Sequence, residues 1–321
     1  MANIYEVARR AGVSTATVSR VLSQPSVVSP DTRRKVLQAV ESLDYAPNSA
    51  AKNLRTLRTG KLLVTVPDIS NPFFSLILQG IEDAAQREGY AVLLGDTQHD
   101  EQREERYALM LKRKEADGLI VLGHRLPGEA AALVRAMAPR CAPVVNGCEF
   151  SPKLGIPSVH IDNAKAAAEA MDHLYRLGHR RIGIITGPLV SPLSRDRLRG
   201  ATARAKQQRA ERLLGRRERP TAIFCFNDEM AMGAIETARR RGLRVPLDVS
   251  VVGFDDIRFA RCIDPPLTTI AQPMRAIGEG TVRLLLQILN GDDGVAPESV
   301  TLPHTLTVRS STAPPRASRA R

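Results

Sequence analysis

From residue 61 onward the chain alternates between short β-branched runs and longer stretches of helical periodicity, and this alternation restricts the fold more than any other feature. Apolar runs lie at 62–66, 91–94, 118–122, 143–145, 159–161, 181–186, 222–225, 250–253 and 268–270. Helical periodicity marks 73–88, 164–177, 228–241 and 274–290 between them. Alternation of this kind predicts an α/β fold with doubly wound parallel sheets. Ligands of such sheets bind at the carboxyl ends of strands, and two lobes set face to face turn those ends into one shared cleft.

The first sixty residues read differently. They hold nine Lys or Arg against four acids, a net charge of +5. Ile4, Val7, Ala8 and Ala11 recur at i, i+3, i+4, i+7 and give one apolar helix face. Gly12 ends that helix in the left-handed conformation. Ser14 caps a second helix, which buries Val18 and Leu22 and turns Thr15, Ala16, Thr17, Ser19 and Arg20 outward. Ser29 and Pro30 open a third, with Val36, Val40 and Leu43 inward. Helix, glycine turn, and a slim second helix carrying small polar residues and one arginine form a helix-turn-helix, whose recognition helix enters the major groove of DNA. The bland alternative is a three-helix bundle with a solvated second helix.

Bulk properties agree with a polyanionic partner. The 321 residues carry a net charge of +12, and 43% of them are hydrophobic, enough for a substantial core. No run of 18 apolar residues occurs and the first residues lack an apolar signal region, so a cytoplasmic protein is expected. Cys141, Cys148, Cys225 and Cys262 form no CxxC pair and no histidines stand at zinc spacing, so reduced thiols and no metal or other cofactor are expected. A nucleophile elbow, a Walker loop, HExxH and GxGxxG are all missing, which argues against an enzyme.

The string IYEVARRAGVSTATVSRVL, followed by VSPDTRRKVLQAVESLDYAPNSAAKNLRT, closely resembles the headpiece of the lactose-repressor (LacI/GalR) family. VPDISNPFFSLILQGIEDAAQREGY, ADGLIVLG, LGHRRIGIITGP, PTAIFCFNDEMAMGAI and VPLDVSVVGFDDI extend the resemblance over nearly the whole chain. It implies a headpiece over 1–47, a hinge helix and linker over 48–60, and a two-lobed core over 61–310 like periplasmic sugar-binding proteins. The lobes are expected at about 61–160 with 291–310 and about 161–290, with a disordered tail at 311–321. By resemblance Thr15, Ala16 and Arg20 read bases, while Tyr5, Ser14, Thr17 and Ser19 contact phosphates. Asn48, Ala51, Lys52 and Leu54 belong to the hinge, and Leu54 is the wedge that enters the minor groove. Asn71, Phe73 and Phe74 match the N-lobe pocket loop, and Arg197 and Asp255 match the groups that hold a ligand's hydroxyls. Asp96 and Asn227 sit at strand ends beside them. Asp256 fits by spacing as well as Asp255, Phe73 and Phe74 also suit a helix core, and Arg197 a surface ion pair. The stretches GDTQHDEQRE, NGCEFSPKLGIPSVHIDN and CIDPPLTTIAQP look like the cytidine-repressor branch, which implies a nucleoside effector such as cytidine. The implied protein is a homodimeric repressor on a pseudo-palindromic operator.

One region departs from the family. Residues 197–220 read as one basic helix where family members place an extra strand and most of another helix. The absent strand is the second of its lobe, an edge strand in the usual order, so the sheet is expected to survive with a newly open edge. An aromatic pocket residue goes with it, and the expectation is normal operator binding with a poor response to cytidine or adenosine. A constitutive DNA-binding regulator with an impaired effector pocket is the alternative reading, and a small-molecule binding protein without DNA function is the alternative from another class.

Overall fold

The structure, a computed structural model, describes residues 2–45, 58–137, 141–207, 219–291 and 297–316. The chain divides into two compact units, Met1–Thr59 and Gly60–Arg321.

The first unit holds helices α1 (Ile4–Ala11), α2 (Thr15–Ser23) and α3 (Pro30–Ser42), with a single 3₁₀ turn at Pro25–Val27. Val7, Ala8, Val18, Val21, Val36 and Ala39 are its buried core. Ile4, Ala11, Leu22, Val40 and Leu43 pack around them only partly buried. The second fully buried position of α2 is thus Val21 rather than the expected Leu22. Three short helices have too little volume to bury two full turns of each.

The second unit opens with β1 (Lys61–Val66), α4 (Pro72–Arg87), β2 (Ala91–Asp96), α5 (Glu101–Lys112), β3 (Gly118–Val121), α6 (Gly128–Met137), β4 (Val144–Gly147) and β5 (Ser158–Ile161). It continues with α7 (Asn163–Arg176), β6 (Ile182–Ile185), α8 (Pro192–Gln207), β7 (Ala222–Cys225), α9 (Asp228–Arg240), β8 (Ser250–Asp255) and β9 (Thr268–Ala271). Helix α10 (Met274–Asn290) and strands β10 (Val300–Leu302) and β11 (Thr305–Thr307) complete it. Two sheets form, in the orders β10-β5-β4-β3-β1-β2 and β11-β9-β8-β7-β6. All pairings are parallel except β11 with β9. The central strands of both sheets are buried end to end, as strands covered by helices on both faces must be.

The two lobes share the chain differently from the expected 161–290 division. Helix α10 packs on α4 and against β3, β4 and β5, so it belongs to the N-lobe. Its Ile277, Val282, Leu284 and Leu285 enter the core made by Leu62, Val64, Ile77 and Ile81. The approach depends on two glycines: a Cβ on Gly80 would run into the backbone of Arg275, and one on Gly278 into the backbone of Ile77. The chain then adds β10 to the N-lobe sheet beside β5, and two residues later β11 to the C-lobe sheet beside β9. The first part of the expected tail, 311–316, is instead packed on the C-lobe. Ser311 is fully buried, its Oγ donating to Val251 O at 2.6 Å. Ala313 O accepts from Ser250 Oγ at 3.0 Å, and Arg316 pairs with Asp248 at 3.1 Å. These residues satisfy polar groups at the end of a buried sheet, which unanchored chain would leave orphaned. Residues 317–321 lie outside the described ones.

Among the described residues the C-lobe sheet is open at the edge where the shortened region leaves out a strand. In the N-lobe β2 lies outside β1, whereas no described strand lies outside the equivalent β6. Strand β6 is only partly buried along its length, and Ile185 is 39% exposed. Helix α8 occupies the first part of the expected 197–220 helix, beginning earlier, at Pro192. Among the described residues no helix is long and apolar enough to cross a membrane.

Candidate DNA-recognition helix and effector cleft

Local chemistry fixes the start and the outward face of α2. Asn3 caps α1 through a reciprocal pair with Glu6: its Oδ1 accepts from the Glu6 amide at 3.0 Å while Glu6 Oε2 accepts from the Asn3 amide at 3.1 Å. Gly12 turns the chain with φ of 66°. Ser14 then caps α2, its Oγ accepting from the Thr17 amide at 3.2 Å and lying 2.9 Å from Thr17 Oγ1. Ser29 differs from expectation: its hydroxyl bonds Thr32 Oγ1 at 2.9 Å rather than a backbone amide. With Val18 and Val21 inward, Ala16 and Arg20 stand exposed on α2, and Thr15, Thr17 and Ser19 are half-buried beside them. Tyr5 projects from α1 with 74% of its surface exposed. Asn48, Ala51, Lys52 and Leu54 lie outside the described residues.

The second candidate site lies where strand ends of the two lobes meet. Arg197, on α8, is almost fully buried, and its guanidinium carbon lies over the Phe254 ring, 3.6 Å from the centroid. Its Nε donates to Asn163 Oδ1 at 2.9 Å, Nη1 donates to Phe226 O, and Nη2 sits 3.6 Å from Asp255 Oδ1. Asp255 ends β8 with φ of 112° and accepts from Gln272 Nε2 at 2.7 Å. Asp256 turns the other way, to Arg309 at 2.8 Å. Of the two carboxylates that spacing leaves open, Asp255 is therefore the one beside Arg197. From the N-lobe comes Glu149, just past β4, which accepts from Ser191 Oγ at 3.3 Å across the cleft.

The remaining predicted residues do structural tasks at the cleft's edge. Asn71 caps α4 by accepting from the Phe73 amide at 2.9 Å, and Asn227 caps α9 by accepting from the Met230 amide at 2.7 Å. Phe73 and Phe74 meet edge to face, 5.2 Å apart, and both pack in the N-lobe core. Asp96 accepts from the Ile69 amide at 3.2 Å and from Gln98 Nε2 at 3.0 Å. The sequence reading missed Glu149, Asn163, Ser191 and Gln272. Glu149 and Asn163 fall in the stretch 146–163 that carries the branch resemblance, but no spacing rule marks them as cleft residues. His179 is structural, as its burial between Thr221, Ser250 and Ala313 requires.

Burial dominates the electrostatics here. It pushes the carboxyl of Asp255 up to about 6 despite the neighbouring Arg197, and that of Glu149 up to about 7. Asp228, at the start of α9, is pushed up to about 8 by burial and by Asp255. It accepts from the Ile257 amide at 2.8 Å and from Thr269 Oγ1 at 2.6 Å, tying α9 to the β8–β9 region. Because folding raises these carboxyl groups, the folded core holds protons that the unfolded chain releases. Their contribution is present below the ordinary carboxyl range and lost as pH rises through 6 to 8. Calorimetric melting of the protein is therefore expected to fall in temperature from pH 6 to pH 9. Asp228→Asn should flatten the upper part of that fall, and an unchanged slope in the variant would refute the assignment. No group of three or more His, Cys, Asp or Glu able to hold a metal occurs among the described residues.

Comparison with known proteins gives a consistent answer. The family model "Bacterial regulatory proteins, lacI family" matches residues 3–48. "Periplasmic binding proteins and sugar binding domain of LacI family" matches 59–209, and "Periplasmic binding protein-like domain" matches 201–312. The chain is 41% identical to the HTH-type transcriptional repressor CytR of Escherichia coli (strain K12), over 97% of this chain and 96% of that protein. It is 35% identical to catabolite control protein A of Priestia megaterium, over 96% and 98% of the two. Among solved structures, the lac repressor dimer bound to operator and the anti-inducer ONPF superposes with a TM-score of 0.85 at 30% identity, covering 97% of this chain and 99% of that one.

Proposed function

Because this chain belongs to the lacI family of bacterial regulatory proteins, we propose that it is a cytoplasmic transcriptional repressor that binds operator DNA as a homodimer and answers to a nucleoside. The observation that carries the reading is the outward face of α2, where Ala16 and Arg20 stand exposed on a helix braced by Val18 and Val21 and capped by Ser14. Such a helix face fits the major groove, and the cap and hydroxyls at its start suit phosphates. Tyr5, Ser14, Thr17 and Ser19 take the phosphates, Thr15, Ala16 and Arg20 the bases. Hinge residues Asn48, Ala51, Lys52 and Leu54 complete the contact, Leu54 as a minor-groove wedge. One headpiece contacts too little DNA for useful specificity, and a two-fold dimer doubles it. Catalysis has no part in this reading.

The effector reading rests on relatives such as CytR and on the cleft, where Arg197 and Asp255 offer a donor fork and an acceptor to hydroxyls. A second reading, a repressor with a weakened response, is favoured by two observations. Strand β6 has no described neighbour on its open side, and Arg197 is already engaged within the core by Asn163, Phe226 and Asp255. Operator selection from random DNA, repeated with and without cytidine, tests both readings. A selected pseudo-palindrome that millimolar cytidine only partly releases is the expected result. Sedimentation of a monomer that binds one half-site tightly would sink the dimer, and complete release by micromolar cytidine would sink the weakened response.

A further inference from the structure

Three arginines stand around a cavity at the base of the C-lobe, away from the cleft. Parallel strands β6, β7 and β8 begin side by side there, and Arg181, Thr221 and Asp248 lie just before their first residues. With Arg219, Pro315 and Arg316 these residues line a cavity of about 220 Å³. The cleft lies at the opposite, carboxyl ends of the same strands. Asp255 ends β8, a strand of six residues, so the two places are about 20 Å apart.

The lining is held in place by the sheet. The Thr221 amide and hydroxyl donate to Arg181 O at 2.9 and 3.3 Å, and Arg316 Nη1 donates to Asp248 Oδ1 at 3.1 Å. Its charges are unevenly matched. Asp248 is the one carboxylate of the described lining, and its Oδ2 already accepts from Arg244 Nε at 3.0 Å. The bonds from Arg244 hold that carboxyl below its ordinary range, so it is ionised and shared between two cations. Arg219 is exposed and has no ion pair among the described residues. The planar guanidinium fork matches phosphate oxygens with parallel bonds. Several forks around one small enclosed space suit a compact polyanion, whereas a duplex spreads its charge along a surface.

We propose that this cavity is a second small-molecule site, for a compact phosphorylated ligand held by Arg181, Arg219 and Arg316 with the Thr221 hydroxyl beside them. The site does not depend on the nucleoside reading of the cleft. A ligand there joins the starts of β6 and β7 to the chain after β11, and so stabilises the lobe at the sheet edge that has no described outer strand.

Calorimetric titration of the full-length protein with inorganic pyrophosphate, in phosphate-free buffer at constant ionic strength, tests it. Saturable binding of one pyrophosphate per chain is expected. Arg219→Ala should weaken it about tenfold, the loss of one bond to a charged group. Arg113→Ala, which removes an exposed charge from the N-lobe, should leave it unchanged. Asp248→Asn should tighten it about threefold, because the repelling charge is lost and Arg316 is released to the ligand. A merely structural role for these residues predicts no such gain. The absence of saturable heat up to millimolar pyrophosphate overturns the proposal, as does equal affinity in wild type and Arg219→Ala. Weaker binding by an Asp248→Asn protein that melts like the wild type has the same consequence. If Arg219→Ala instead lost affinity for random duplex DNA and kept it for pyrophosphate, the arginines would belong to a nucleic-acid surface and the small-molecule site would fall.

Discussion

Replacing Arg197 by alanine is expected to lower the melting temperature of the protein by roughly 6–20 °C at neutral pH, the consequence of a loss of about 3–5 kcal/mol in a core of this size. The residue is 6% exposed; its guanidinium lies 3.6 Å from Asp255 and favours the charged form of Glu149. Both carboxyl groups are raised already, Asp255 to about 6 and Glu149 to about 7. Without the guanidinium each must stay uncharged or be stranded in a dry site, and Asn163 and Phe226 lose their donor. Truncation also removes the cation that sits over Phe254. Acidification supplies the protons that the carboxyls then need, so the deficit of the variant should shrink from pH 8 to pH 5. Adding Asp255→Asn to Arg197→Ala should recover part of the loss at pH 8 and little at pH 5. A variant that melts within 2 °C of wild type at every pH would show that the guanidinium balances no buried charge.

The same residue illustrates how far a sequence carries and where it stops. Arg197 was legible as a cleft residue, and burial excludes the surface ion pair that fitted equally well. Asp255 and Asp256 were indistinguishable by spacing, and only the turn after β8, with φ of 112° at Asp255 and 57° at Asp256, aims one at Arg197 and the other at Arg309. Nine strands were visible because each is a compact apolar run. Strands β10 and β11 were not, since VTL and TLT are short, polar at the edge, and defined by the strands they join. The periodicity of α10 revealed a helix but could not say which lobe it covers. That choice is made by Gly80 and Gly278, which admit it to α4 at backbone distance. Glu149 escaped notice for a similar reason. Its role depends on a lobe contact, Ser191, that is 42 residues away. Local rules fix helices, caps and turns, whereas assignments between lobes need the chain to be closed.

Arg20→Ala is expected to cost about 1–3 kcal/mol on operator DNA and almost nothing on random DNA, a loss of roughly 5- to 150-fold confined to the specific site. Arg20 is exposed in the last turn of α2, and among the described residues no ion pair holds its side chain. It contributes little to the headpiece core of Val7, Val18, Val21 and Val36, so the variant should melt as the wild type does. A guanidinium with no ion pair among the described residues keeps its planar fork available for the O6 and N7 edge of guanine, a bidentate contact that alanine cannot replace. Lys52 provides the contrast. Its ammonium is proposed to meet phosphate, so Lys52→Ala should weaken binding to all sequences alike and reduce the salt slope by about one. Affinity measured for each variant on the selected operator and on a scrambled duplex, across a series of salt concentrations, separates the two roles. If Arg20→Ala lost the same factor on both duplexes, its guanidinium would be a phosphate contact, and base reading by α2 would fall to Thr15 and Ala16 alone.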